Sequence, residues 1–154
     1  MILFLDFDGV LNIPSHYGKS MFVPEYLARL EKIAIDHDLK IVISSSWREN
    51  FSLEEIRDFF SDNSLCERII GCTPVVRQNS WPPYIREIRQ LEIQKWMTDN
   101  NYDGLWIAID DDKRIFEDGC INLVETEFRY GFNEEAGIEL VNKILEFKIS
   151  AIKH

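Results

Sequence analysis

The chain reads as an α/β protein, a three-layer α/β/α arrangement around a central parallel sheet of about five strands. Short apolar runs, too brief for membrane spans, alternate along it with stretches whose apolar residues recur at helical spacing. Two of these runs, Met1 to Leu5 and Leu105 to Ile109, end abruptly in carboxylates, at Asp6-Phe7-Asp8 and Asp110-Asp111-Asp112. Strands buried on both faces of a parallel sheet have this continuous apolar character, and open α/β sheets bind ligands at the carboxyl ends of their strands. No internal repeat, linker or low-complexity tract divides the chain, so residues 1–150 are expected to form one domain and 151–154 a short tail.

Taken in order, the first strand is followed by Ile13 to Ser20, a loop by its Pro, Gly and Ser content. Pro24 and Glu25 then open a helix with Leu27, Leu30, Ile33 and Ala34 on one stripe, and His37 at its end reads as a helix-end charge partner. Lys40 to Ile43 form a second strand running into Ser44-Ser45-Ser46-Trp47-Arg48. Ser52 and Glu55 are spaced as a capping box for a helix to about Phe60. Arg68 to Cys72 give a third strand, Thr73 to Pro83 an irregular connection carrying Trp81, and Tyr84 to Asn100 a helix with Ile88, Leu91, Ile93 and Trp96 on its apolar face. After the fourth strand, Gly119 to Val124 form a fifth, and Asn133 caps a last helix to about Phe147.

Composition limits function. A chain of 154 residues, 45% of them hydrophobic, buries a core without disulfides or a structural metal. Its 17 basic against 27 acidic residues, a formal net charge of -10, argue against a broad nucleic-acid-binding surface and leave a single nucleotide in a pocket open. Cys66, Cys72 and Cys120 show no C-x-x-C spacing and read as reduced thiols. With no targeting segment or long apolar run visible, a cytoplasmic protein without membrane contact is expected.

Asp6 and Asp8 carry the chemistry of the first strand end. Period two sends both side chains the same way if extension persists, and two converging carboxylates repel unless a proton or cation lies between them. Asp110, Asp111 and Asp112 repeat the design on another strand, so a shared divalent metal accounts for both more economically than two acidic turns. Ser44 and Ser45 have no His-Asp partner that marks a nucleophile; they read either as donors to a phosphate or oxyanion or as a polar turn. Arg48 is open to two readings, a bidentate phosphate contact or a surface ion pair, and Trp81 to two, stacking on a ring or packing its loop.

The ordered set Asp6-x-Asp8-Gly9-Val10-Leu11, Ser44 after a buried strand, a basic residue before the fourth strand and Asp110-Asp111 after it resembles the haloacid dehalogenase-like (HAD) phosphohydrolases. Ser44 to Arg48, Arg89 to Met97 and Trp106 to Asp112 are similar to a small capless branch found in bacterial and phage RNA-repair proteins. The resemblance implies a Rossmann-like fold and Mg²⁺-dependent phosphatase chemistry in which Asp6 attacks phosphorus and becomes an aspartyl-phosphate. Asp8 would protonate the leaving oxygen and later deprotonate water. Mg²⁺ would lie between Asp6, the Asp8 carbonyl and Asp111, with Asp110 nearby, and Ser44 would hold a phosphoryl oxygen. Arg89 is the implied phosphate-neutralising cation, with Lys95 as the alternative; Gly9, Ser45, Arg48 and Lys95 complete the expected substrate contacts.

Between Asp8 and Pro24 there is room for a flap and not for a folded cap, so the implied site is open and suits a nucleotide, a nucleic-acid end or a phosphopeptide better than a tiny metabolite. A competing class is a receiver-like signalling or metal-binding module, but a receiver takes its phosphorylated Asp from a later strand than its first acid pair. A place in a larger repair assembly is a third reading, with Trp47 and Trp81 as contacts.

Overall fold

The computed structural model describes residues 1–77 and 86–153. Strands β1 (Ile2–Leu5), β2 (Lys40–Ile43), β3 (Ile69–Cys72), β4 (Trp106–Asp110) and β5 (Leu123–Glu125) make one sheet in the order β3-β2-β1-β4-β5, every pairing parallel. The chain moves outward from β1 to β3, then crosses back past β1 to lay down β4 and β5. β1 is therefore central, at the point where the strand order reverses and the loops at the carboxyl ends part to leave a crevice. β5 starts later than the sequence suggests, because Cys120 and Leu123 are tied into turns by bonds to the carbonyls of Glu117 and Cys120.

The alternation of β1 explains the layers. Ile2 and Phe4 share one apolar cluster with Val42, Ala108, Ile93 and Trp96, the last two from helix α4 (Ile88–Asp99). Phe4 meets the rings of Trp96 and Trp106 edge-on, at 5.7 and 5.9 Å between centroids. Leu3 and Leu5 point the other way, into a cluster with Leu30 and Ala34 of α1 (Pro24–His37), Ile56 of α2 (Leu53–Asp58), Leu65 of α3 (Leu65–Arg68) and Leu140 and Ile144 of α5 (Glu134–Ile152). Helices thus cover both faces of the sheet, and the three-layer α/β/α fold expected from the sequence is the fold observed.

Local chemistry sets the helix boundaries. Pro24 occupies the first turn of α1, where its missing N–H costs nothing, and Asp38 ends the helix in the left-handed region at φ 50°. Ser52 and Glu55 form the capping box of α2, with bonds of 2.7 and 3.1 Å, and Asn133 caps α5 through the Ala136 amide at 3.0 Å. α3 is one turn, too short for periodicity to reveal. α5 continues to Ile152, past the Phe147 end suggested by the sequence, because no Gly or Pro follows Phe147 to stop it. The start expected for α4 at Tyr84, and Trp81, lie outside the described residues. Between β1 and α1 one 3-10 turn, Pro14–His16, is the only regular element, so this connection carries no folded cap. No helix among the described residues is long and apolar enough to cross a membrane.

Candidate active site

Strand register brings the predicted residues together. Leu5 pairs with Ile43 on one side and Ile109 on the other, so Asp6, Ser44 and Asp110, one residue further along each strand, stand side by side across β1, β2 and β4. The ladder continues through them, with the Ser44 amide bonded to the Leu5 carbonyl at 3.0 Å and the Asp6 amide to the Ile109 carbonyl at 3.1 Å. Asp6, Asp110 and Asp111 each offer a carboxylate oxygen, and these three atoms lie within 4.8 Å of one another. Asp6 and Asp110 are buried and Asp111 half-buried.

Burial raises the pKa of Asp6, with Arg89 pulling it back down and Asp111 and Asp8 adding to the rise. Burial likewise raises Asp110, reinforced by Asp6 and opposed by Arg89, and burial raises Asp111. Acids packed in this way are relieved by a proton or by a cation, and the three carboxylate oxygens lie close enough together to hold one divalent ion. Asp112 does not join them: it accepts from the backbone amide, Nε and Nη2 of Arg114 at 2.8–3.0 Å, and Arg114 lowers its pKa.

Gly9 sits at φ +73°, and a Cβ on it would come within 2.5 Å of Asp111 Oδ2. The glycine is required twice, for the left-handed turn and for the room Asp111 takes beside it. The turn also separates the two acids of the first motif. β1 ends at Leu5, Phe7 still packs on the face that carries Leu3 and Leu5, and the amides of Val10, Leu11 and Asn12 all gather on the Phe7 carbonyl to turn the chain after Asp8. Its carboxylate lies outside the group of three. Oδ2 accepts from Trp47 Nε1 at 2.9 Å and Oδ1 from Asn12 Nδ2 at 3.2 Å. The shared direction expected for Asp6 and Asp8 was conditional on continued extension, and the regular strand stops at Leu5, yet Asp8 stays close enough to raise both Asp6 and Asp111 by charge.

Of the two candidate cations, the fold brings Arg89 to the carboxylates. Its Nε donates to Asp110 Oδ2 at 3.2 Å, and its Nη1 donates to the Ser44 carbonyl and to Glu92 Oε2. Lys95, two turns further along α4, is half-exposed and pairs with Asp99 at 3.0 Å. Arg48 is placed otherwise than a substrate contact requires. Its side chain is 3% exposed, and its five N–H groups are spent on the carbonyls of Thr73, Ser44, Ser45 and Pro74 and on Glu92 Oε2, the last at 2.7 Å. Of its two readings the ion pair is the one observed, although a buried one. Ser45 is fully buried, and its hydroxyl accepts from the Trp47 amide at 3.3 Å to start the 3-10 turn Ser46–Glu49.

Three side chains were not assigned these positions by the sequence. Asn12 lies four residues after Asp8, a spacing that signals contact only once the chain is known to turn there. Trp47 stands out as an aromatic at a strand end, without indicating its partner. Glu92 had a legible sign: it follows Arg89 by three residues on a helix, the spacing of an ion pair.

The comparisons agree with this geometry. The sequence matches the family described as HAD domain in Swiss Army Knife RNA repair proteins over residues 2–136, from the first strand into the first turn of α5. No curated protein and no solved structure matches it significantly. With nearly the whole sheet and all of the converging acids inside the matched stretch, the chain belongs to this family of HAD domains, whose superfamily chemistry is in general that of phosphohydrolases.

Proposed function

We propose that the protein is a Mg²⁺-dependent phosphatase that hydrolyses a phosphomonoester through an aspartyl-phosphate on Asp6. The observation that carries the proposal is the division of the two acids of the first motif. Asp6 lies buried against Asp110, Asp111 and Arg89, while the carboxylate of Asp8, two residues on, is bonded to Trp47 and Asn12 instead.

Asp6, Asp110 and Asp111 would hold the metal, with the Asp8 carbonyl as a further ligand. Bound Mg²⁺ supplies charge neutralisation to the carboxylates and to the incoming phosphoryl group. The Asp6 carboxylate oxygen forms a bond to phosphorus as the ester oxygen leaves, and Asp8 gives that oxygen its proton. Water then attacks phosphorus, Asp8 takes the proton it loses, and the Asp6–phosphorus bond breaks to release inorganic phosphate. Arg89 offsets the phosphate charge from its seat beside Asp110, and the Ser44 hydroxyl donates to a phosphoryl oxygen. The substrate class that fits best is a nucleotide or a phosphorylated nucleic-acid end. An uncapped approach over β1 admits the end of a large molecule, and the family's description places its members in RNA repair proteins.

The test is hydrolysis of an aryl phosphate by wild type and Asp6→Asn, with Mg²⁺ and with chelator. Release that requires Mg²⁺ and is lost in folded Asp6→Asn is expected. Turnover retained by that variant would remove Asp6 as nucleophile, and a stable phosphoprotein formed from acetyl phosphate without turnover would replace the hydrolase with a receiver-like module.

A further inference from the structure

The turn between β5 and α5 presents Phe128 and Tyr130 to solvent, 47% and 59% exposed, with exposed Arg129 between them. Two large rings exposed within one turn make an apolar patch of the kind that marks a contact surface. The turn is also firmly built. The Tyr130 and Gly131 amides both bond to the Glu127 carbonyl, at 2.9 and 2.8 Å, and Tyr26 Oη donates to the Tyr130 carbonyl at 2.6 Å.

This turn is anchored to the backbone that follows the catalytic acids. Thr126 Oγ1 donates to the Gly9 carbonyl at 2.7 Å and the Phe132 amide to the Val10 carbonyl at 2.8 Å. Gly131, at φ +55°, permits the approach, since a Cβ there would come within 2.6 Å of the Val10 carbonyl oxygen. An open groove of about 840 Å³ results, lined by Ile13 to Ser15 from the loop after β1, by Tyr26, and by Phe128 to Tyr130. The Arg29 guanidinium lies 5.7 Å from the Tyr26 ring centroid on α1.

We infer that the Phe128-Arg129-Tyr130 turn is a stacking platform for the unpaired nucleotides of a single-stranded nucleic acid, next to the phosphorylated end that enters the active site. The inference rests on the proposed phosphatase only for its biological use; the platform itself is a binding claim. Aromatic rings accept any base on their faces, and one arginine between two of them reaches the phosphate that links the stacked nucleotides. Stacking also reconciles a nucleic-acid ligand with a formal charge of -10. A protein this acidic gains little from a basic footprint, so its affinity comes from ring contact. Arg129 is the one cation among the described residues lining the groove.

The probe is an unphosphorylated single-stranded hexaribonucleotide, which measures the platform without the catalytic site, read by fluorescence anisotropy on the whole chain. Wild type is expected to bind it and Phe128→Ala/Tyr130→Ala to lose about tenfold or more in affinity, the worth of one or two base–aromatic stacks. Phe128→Tyr/Tyr130→Phe keeps the affinity, which separates ring contact from a folding defect. With one phosphate contacted, affinity falls only about threefold between 50 and 200 mM salt, and Arg129→Gln flattens even that slope. The inference is overturned if wild type does not bind the probe, if the double alanine variant binds it as well as wild type, if a duplex of the same sequence binds equally, or if a phosphopeptide of equal length shows the same dependence on the two rings. Aryl phosphate turnover by a chain that fails these binding tests would sink the platform and leave the phosphatase standing; absent turnover with ring-dependent binding would do the reverse.

Discussion

Removing Glu92 tests whether the arginine chemistry around the site is structural. Its carboxylate is 5% exposed and serves Arg48 Nη2 at 2.7 Å, Arg89 Nη1 at 3.2 Å and the Val76 amide at 3.1 Å. Burial lowers the pKa of Arg48, and the charge of Glu92 is the main counterweight to that pull; without it a guanidinium 3% exposed keeps its carbonyl partners and the weaker pull of Glu49. Taking away one member of a buried ion pair costs about 3–5 kcal/mol, against about 0–1 kcal/mol for a surface pair. For Glu92→Leu the loss therefore amounts to a fall in the urea midpoint of about 1.5 M or more, taking about 2 kcal/mol per molar as the slope. Arg48→Met costs a similar amount, since it leaves the buried carboxylate with Arg89 and the Val76 amide alone and also frees four carbonyls. The Arg48→Met/Glu92→Leu protein strands neither charge and is less destabilised than the sum of the single changes by at least about 2 kcal/mol, because neighbours in one network do not add. Urea titrations of the four proteins in chelator measure this directly. Single changes costing under about 1 kcal/mol, or costs that add within about 0.5 kcal/mol, would refute a buried pair and return Arg48 to the list of substrate contacts.

Other consequences are as direct. Trp47→Phe keeps a ring among Phe7, Phe22 and Phe59 but loses the N–H that holds Asp8, so kcat of a phosphate ester falls about tenfold or more while KM changes little; equal loss in Trp47→Phe and Trp47→Ala would show that packing, not the hydrogen bond, matters. Gly9→Ala puts a methyl against Asp111 in left-handed backbone, costing about 1–2 kcal/mol in stability and weakening Mg²⁺ binding in calorimetry; unchanged Mg²⁺ affinity would remove Asp111 as a ligand. In chelator the raised carboxyls of Asp6 and Asp110 keep more protons in the folded chain than in the unfolded one above about pH 4, so they make stability fall as pH rises. Melting curves of Asp110→Asn should show a shallower fall than wild type, and added Mg²⁺ should raise the wild-type Tm more at pH 8 than at pH 6; parallel pH slopes would refute the burial argument.

What could be read from the sequence depended on how local its cause was. The five strands and the caps at Ser52 and Asn133 follow from short-range patterning, and the structure keeps them. The meeting of Asp6, Ser44 and Asp110 was also legible, because buried parallel strands place their carboxyl ends on one edge. The fate of Arg48 was not. Its position beside a strand end suits a phosphate contact, and only the packing of α4 on the sheet face that carries Phe4, Val42 and Ala108 brings Glu92 to it across 44 residues. The one-turn α3 and the partners of Trp47 escaped for the same reason: tertiary contacts decide them, and no periodicity announces such contacts.

The opening Asp6-Phe7-Asp8-Gly9 thus acquires two different carboxylates from one short stretch by ending a strand early. Phe7 supplies the division. Its side chain is fully buried, in ring contact with Phe22, Trp47 and Phe60, while its carbonyl collects the amides that bend the chain back. Asp6, before it, remains in the sheet among other acids, where burial raises its pKa. Asp8, after it, is carried to the rim and fixed by an indole and an amide. Gly9 then clears the space into which Asp111 fits, so the loop after β1 helps to set the acid that arrives from β4. On the proposed mechanism a nucleophile stays near the metal and a proton carrier reaches the leaving group, and the buried Phe7 between Asp6 and Asp8 would serve both tasks.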